Sequence, residues 1–399
     1  LKQTTKMMSA RSGRSARSQG DAQGQDVRER VHERAGEPLR QAAEHGSLVQ
    51  QVLTLDGLGI RKVVDAPPGV EVLSVSDNRL KALGAISSCS SLRELNLAGN
   101  RFQEAALVPL ARLSHLHALD ISRNQVRSLE TLFPDFATEF GSGAFPRLEV
   151  LDISENMALT DAQPALAARH LRVLRANGIA AIDLSCRPTS TLEVLEMGSC
   201  SLATVENLLA LCSLRELVLD GNALLACAAV LSHPRLETLR LAKNAVARAP
   251  PPQLPSLTTL DLAANQLVEL PVFGGARNIT SLSLRENDLT SLEPLASLRN
   301  LTFLDASCNH LRVLDSSLAL GALKPLRALV LSGNDFEHAE VVLGVLVRTE
   351  RPALEHLDLR DNPFSFAFYP EGIQQLPIWT WEAEASMGTG PGLLDNDTR

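Results

Sequence analysis

Beyond about residue 48 the chain repeats one alternation of apolar and polar positions. An apolar residue is followed by two variable ones, Leu, one variable, an apolar residue, two variable, Asn, one variable, and a further apolar residue. The pattern reads Leu92-Arg-Glu-Leu95-Asn-Leu97-Ala-Gly-Asn100-Arg-Phe102, and again Leu214-Arg-Glu-Leu217-Val-Leu219-Asp-Gly-Asn222-Ala-Leu224. The marker is asparagine in eleven units, from Asn78 to Asn362, and Leu58, Ile179 or Cys200 in three more, which makes fourteen units. The Leu-x-Leu alternation predicts a short strand with its apolar side chains on one face. The Asn stands where the chain turns out of that strand, and its amide can both donate to and accept from main-chain groups that the turn leaves unpaired. A single unit cannot bury its leucines, so the units are expected to stack into one parallel sheet. The sixth unit, around Leu171–Ile182, has Ile179 at the marker and is expected to be the least regular.

Most markers follow one another at about 22 residues, which leaves room only for an extended or 3₁₀ return behind each strand. Glu337-His-Ala-Glu-Val-Val-Leu-Gly-Val-Leu346, in the last long unit, predicts a true helix. The 32-residue step from Asn124 to Asn156 holds an insertion over about 130–146 with Phe133, Phe136, Phe140 and Phe145. These rings are expected to cap the core of the neighbouring units; a partner-docking element is the alternative.

The repeat resembles the leucine-rich-repeat family, in particular its short intracellular class typified by phosphatase-regulatory repeat proteins. The resemblance covers about residues 48–381. It implies an α/β fold: a right-handed horseshoe solenoid with a parallel sheet on its concave face and 3₁₀ or short helices on its convex face. It also implies protein binding without catalysis. Asn362-Pro363, Tyr369, Ile373 and Leu376-Pro377-Ile378 resemble the carboxy-terminal cap of that class, which usually closes on Leu-Asp; Trp379-Thr-Trp381-Glu stands here instead. The expected organisation is therefore a tail over 1–47, partly helical towards the first unit, a solenoid over 48–362, a cap over 363–381, and an acidic tail over 382–399. Both tails are expected to be disordered, because their compositions bury too little apolar surface. The start is expected at Leu1, Met7 or Met8. Residues 1–20 hold five basic side chains and no acid, which also fits a mitochondrial transit peptide.

Composition narrows the function. Lysine and arginine number 38 against 46 acids, a net charge of −8, which argues against direct nucleic-acid or anionic-membrane binding. No window reaches eighteen uncharged apolar residues. The six cysteines are scattered without a CxxC pair, which predicts reduced thiols in a cytoplasmic protein rather than disulfides or zinc. The chain has no GxxxxGK[ST], GxGxxG, HExxH or GxSxG motif, and its nine histidines do not cluster. Neither an enzyme activity, a cofactor, a metal nor a small-molecule substrate is expected.

The variable strand positions are expected to face the concave side, where acids outnumber Lys and Arg by 18 to 10. A protein partner with a basic surface is the complement, and neighbouring charges such as Arg172, Glu193, Arg215 and Glu237 are placed to form a ladder of exposed pairs. One stretch departs from that background with Thr258, Thr259, Ser281 and hydroxyls around a single Phe. The expected contact residues are Arg240, Asp261, Thr280, Arg285, Thr302, Phe303, Asp305, Val330, His356 and Asp358. The reading is a non-catalytic scaffold or adaptor. A cytoskeletal or ciliary component, a regulatory subunit of a protein phosphatase and a protein of a ribonucleoprotein particle are each compatible with it.

Overall fold

The computed structural model describes residues 52–63, 69–134, 145–179, 191–205, 210–228, 230–315, 318, 324–348 and 353–368. Fourteen three-residue strands form one parallel sheet in strict sequence order. They are β1 (Val52–Thr54), β2 (Val72–Ser74), β3 (Glu94–Asn96), β4 (Ala118–Asp120), β5 (Val150–Asp152), β6 (Val173–Arg175) and β7 (Val194–Glu196). The rest are β8 (Glu216–Val218), β9 (Thr238–Arg240), β10 (Thr259–Asp261), β11 (Ser281–Ser283), β12 (Phe303–Asp305), β13 (Ala328–Val330) and β14 (His356–Asp358). Every strand pairs with the next in one register, so the central leucines, for example Leu95, Leu119 and Leu151, form an unbroken core row. The predicted solenoid is the fold found.

The asparagine ladder holds successive coils together. Asn78 donates through Nδ2 to Leu55 O at 2.8 Å in the previous coil and to its own Val75 O at 2.9 Å. Its Oδ1 accepts from Ile60 N–H at 2.9 Å. The same exchange recurs at Asn100, Asn124 and Asn244. At each rung a buried amide satisfies main-chain groups that would cost free energy if left bare. Cys200 supplies part of this function: its buried Sγ–H donates to Ala176 O at 3.1 Å and to Gly198 O at 3.4 Å. The acceptor side is lost there, and Asn222 Oδ1 takes both Cys200 N–H and Leu202 N–H. Ile179 is buried and contributes no rung. Even so, β6 keeps its register with both neighbours, and residues 180–190, where the expected irregularity continues, lie outside the described residues.

Short 3₁₀ turns return the chain behind the sheet at Gly84–Ser88, Val108–Arg112, Gln163–Ala167, Val230–Ser232 and Glu293–Ser297. Three of them carry a proline as their second residue, whose missing N–H would be unpaired in a first turn in any case. Among the described residues true helices are few: α1 (Glu104–Leu107), α2 (Ala339–Arg348) and α3 (Pro363–Phe368). The helix predicted from Glu337 begins two residues later, at Ala339. Phe133 and Phe145, at the two ends of the insertion, are buried with ring centroids 5.5 Å apart, so these two belong to the core. Phe136 and Phe140 lie outside the described residues, as do both tails and, beyond α3, the expected cap with Trp379 and Trp381. Phe364 of α3 is buried at the end of the last coil. Among the described residues no helix is long and apolar enough to cross a membrane.

Candidate functional site

Strand alternation turns the first and third residue of each strand away from the leucine core and onto the concave face. Because register is preserved, equivalent residues line up as rows across the sheet, about 4.8 Å apart from strand to strand. The expected contact residues fall on these rows. Arg240, Asp261, Asp305, Val330 and Asp358 are third residues of β9, β10, β12, β13 and β14, and Phe303 and His356 are first residues of β12 and β14. Thr280 and Thr302 precede β11 and β12, and Arg285 follows β11. The structure thus gathers all ten into one strip over β9–β14.

Much of that strip is occupied with holding the fold. Thr258, Thr280 and Thr302 donate their hydroxyls to Glu237 O, Thr258 O and Thr280 O at 3.0, 3.1 and 2.9 Å. Asp261 and Asp305 accept the N–H groups of Ala263 and Ser307, two residues on, both at 3.0 Å. Arg240 donates to Asp220 at 2.9 Å and lies 4.0 Å from Asp261, Arg285 pairs with Glu286 at 2.9 Å, and Arg360 grips both oxygens of Asp358. Burial raises the Asp358 carboxyl, but the bonds and charge of Arg360 outweigh it and hold the group below its ordinary value. What is left open in the middle of the strip is nearly uncharged: Ser281, the half-buried ring of Phe303, Ala328 and Val330.

A second region, over β4–β7, is arranged differently. Ala118, Val150 and Val173 are first strand residues on the concave side, yet they are almost completely buried as a small apolar cluster with Val194 against them. Two charged rows flank this strip. On one side Arg172 bonds Glu193 at 2.6 Å and lies 3.9 Å from Glu149, and farther along Arg215 reaches Glu237 at 3.1 Å. This is the predicted ladder of pairs. On the other side stand Asp120, Asp152, Arg175 and Glu196, third residues of four successive strands. Arg175 donates to Glu196 at 2.8 Å, with side chains 13% and 22% exposed. The two aspartates are register neighbours. Each accepts the N–H of the serine two residues on, Ser122 or Ser154. Burial, and then the charge of Asp120, push the Asp152 carboxyl up to about 7. Burial also raises Asp120, Glu94 and Glu216. Beside this region lies a cavity of about 480 Å³, lined by His117, Arg147, Glu149, His170, Arg172 and Glu193 among others.

The sequence pattern put Asp120, Asp152, Arg175 and Glu196 in one row but did not mark them, because their burial depends on how side chains from separate coils close over the valines. Among the described residues no group of three or more His, Cys, Asp or Glu is placed to hold a metal ion.

Comparison with known proteins agrees with this geometry. Residues 88–111 match the Leucine Rich repeat family. The chain is 32% identical to human podocan-like protein 1 over 52% of its own length and 41% of the relative's. It is 29% identical to the Arabidopsis thaliana homolog of protein phosphatase 1 regulatory inhibitor subunit PPP1R7, over 48% of its length and 56% of the relative's. The chain therefore spans about half the length, or less, of these curated relatives. Among solved structures, a leucine-rich-repeat protein of Leptospira interrogans superposes with a TM-score of 0.63 at 21% identity, covering 84% of this chain and 97% of that one. An internalin from Listeria monocytogenes gives 0.59 at 20% identity, with 82% and 88% covered. Repeat, ladder and likeness together make this chain a leucine-rich-repeat solenoid of fourteen coils.

Proposed function

We propose that this chain is a non-catalytic interaction scaffold that seats a protein partner with a basic surface on its concave face, in the cytoplasm. One observation carries the reading. Each of the nine concave arginines from Arg93 to Arg360 is held by an acid of the same chain. Glu94 and Glu216, by contrast, half-buried first residues of β3 and β8, have no Lys or Arg within ion-pair distance among the described residues. Apart from the exposed Lys243, the face thus offers carboxylates and no unpaired arginine, and such a field steers a basic partner into encounter. The test is to recover partners with the wild-type chain and with a Phe303→Ala, Arg240→Ala double variant. For a partner lost by the variant, the association rate is then measured across salt. A steep fall with added salt is expected; a salt-independent rate refutes concave docking.

A second reading is a regulatory subunit of a protein phosphatase, and the similarity to the Arabidopsis phosphatase regulatory inhibitor subunit favours it. Co-purification with a phosphatase catalytic subunit, at one-to-one stoichiometry, is its expected outcome; a catalytic subunit that ignores the pure chain at micromolar concentration excludes it.

A further inference from the structure

Register defines a straight track across the concave face. Glu216 pairs with Thr238, Thr238 with Thr259, Thr259 with Ser281, and Ser281 with Phe303. All five are first strand residues, and all are half-exposed. Four strand steps separate the Glu216 carboxyl from the Phe303 ring, a span of about 19 Å along the sheet. Between them stand only Thr238, Thr259 and Ser281, short side chains that leave the path clear. Ala328, the next residue in the row, is as small, so the Phe ring has an open flank.

The two ends differ in chemistry. Glu216 has Glu196 beside it, and Arg175 and Arg240, the nearest cations, are already bound to Glu196 and Asp220. A cation arriving from outside is the complement that end lacks. Around Phe303, Arg285 is paired with Glu286, Asp305 is turned onto the N–H and hydroxyl of Ser307, and the hydroxyls of Thr280 and Thr302 are spent on sheet carbonyls. A group seated there gains by leaving water, not by finding a charge.

We infer that the track takes one segment of a protein partner lying across the strands, with a Lys or Arg cluster over Glu216 and an aromatic or large aliphatic side chain against Phe303. This deepens the scaffold reading and rests on it. The acidic end captures the partner and the apolar end retains it, because burial of an aromatic anchor slows dissociation while exposed charge mainly speeds encounter.

The test uses the full chain and two synthetic peptides. One is hexa-arginine, and the other is hexa-arginine joined to a terminal Trp by a twelve-residue Gly-Ser linker. A flexible linker of that length has a typical end-to-end distance of about 19 Å, matched to the track. The Trp peptide is expected to bind about tenfold tighter than hexa-arginine alone. Phe303→Ala should erase that gain and leave hexa-arginine binding unchanged. Ala328→Arg, which blocks the open flank without touching the ring, should do the same, and this guards against a fold defect in the first variant. Glu216→Gln should weaken both peptides and flatten their salt dependence. Equal affinity of the two peptides, or a Trp gain that survives both Phe303→Ala and Ala328→Arg, overturns the track while leaving an acidic docking face intact. Failure of both peptides to bind overturns the track and the basic-partner reading together.

Discussion

The concave surfaces of β4–β7 and β10–β13 are built on the same strand, register and spacing, yet one is shut and the other open. In β4–β7 the first strand residues are Ala118, Val150, Val173 and Val194, flanked on one side by Arg172 with Glu149 and Glu193 and on the other by Asp120, Asp152 and the Arg175–Glu196 pair. In β10–β13 the same positions hold Thr259, Ser281, Phe303 and Ala328. Their flanks are threonines turned onto carbonyls and aspartates turned onto their own turns. The contrast teaches that a concave position is not automatically a contact position. Arg and Glu reach a neighbour 4.8 Å or so away and close over small apolar residues, whereas Thr satisfies itself on a sheet carbonyl and leaves the surface bare; the aspartates turn onto their own turns in both regions. On the proposed function, the shut region serves stability and the open one binding.

Removing the one cation of the shut row should break the contrast most. Arg175→Ala leaves Glu196, Asp152 and Asp120 together in a site already short of water, and loss of one partner from a largely buried pair costs about 3–5 kcal/mol. Arg285→Ala, in the open region, loses only an exposed pair and should stay within about 0.5 kcal/mol of wild type. Urea unfolding of the two variants tests this directly. Equal losses would mean that the two regions do not differ in kind.

The aspartate pair sharpens the comparison through pH. The Asp152 carboxyl is raised to about 7 in the fold, while an unfolded Asp titrates near 3.9. The fold therefore favours the protonated form. This contribution is complete below about pH 4, is lost as pH climbs, and is gone above about 7. Asp152→Asn keeps an oxygen for Ser154 N–H and removes the titration. It should stabilise the chain at pH 8 by on the order of 2–3 kcal/mol and have almost no effect at pH 4. Melting temperatures of variant and wild type, followed between those two values, should converge on the acid side. A gain that is the same at both ends of the range would remove the buried pair as its cause.

How much of this was legible follows from which information is local. The leucine spacing and Asn markers carry the sheet because each unit repeats the same short-range geometry, and the helix at α2 shows in its own periodicity. The row of Asp120, Asp152, Arg175 and Glu196 was legible as a row. Its burial was not, since Asp120 and Asp152 are joined across the 32-residue insertion and Arg175 could equally have turned towards Asp152 as towards Glu196. Nor does Val-Leu-Asp reveal that its valine is covered, because the covering chains come from other coils. In the open strip, Phe303 was marked by its oddity among polar neighbours, whereas the local use of Asp261, Asp305 and Asp358 by their own turns depends on side-chain direction, which the pattern does not carry.

Phe303→Ala should cost stability only modestly, about 1 kcal/mol, because the ring is half-exposed and the leucine core beneath it stays intact. Its large effect is reserved for binding. A loss of several kcal/mol in urea unfolding would mark the ring as a structural plug and merge the open region with the shut one.

The smallest expected effect separates the two uses of a hydroxyl. If Thr280 serves the sheet, Thr280→Val removes the bond to Thr258 O and should lower stability by about 0.5–1 kcal/mol. Valine keeps the branched shape and adds apolar surface beside Ser281, so affinity for an apolar anchor should hold or rise slightly. If the hydroxyl instead serves a partner, the order reverses: stability is unchanged and affinity drops. Denaturant midpoint and peptide affinity measured on one preparation distinguish the cases. The first outcome is required if the open strip is held by its own sheet and recognises its ligand through Phe303.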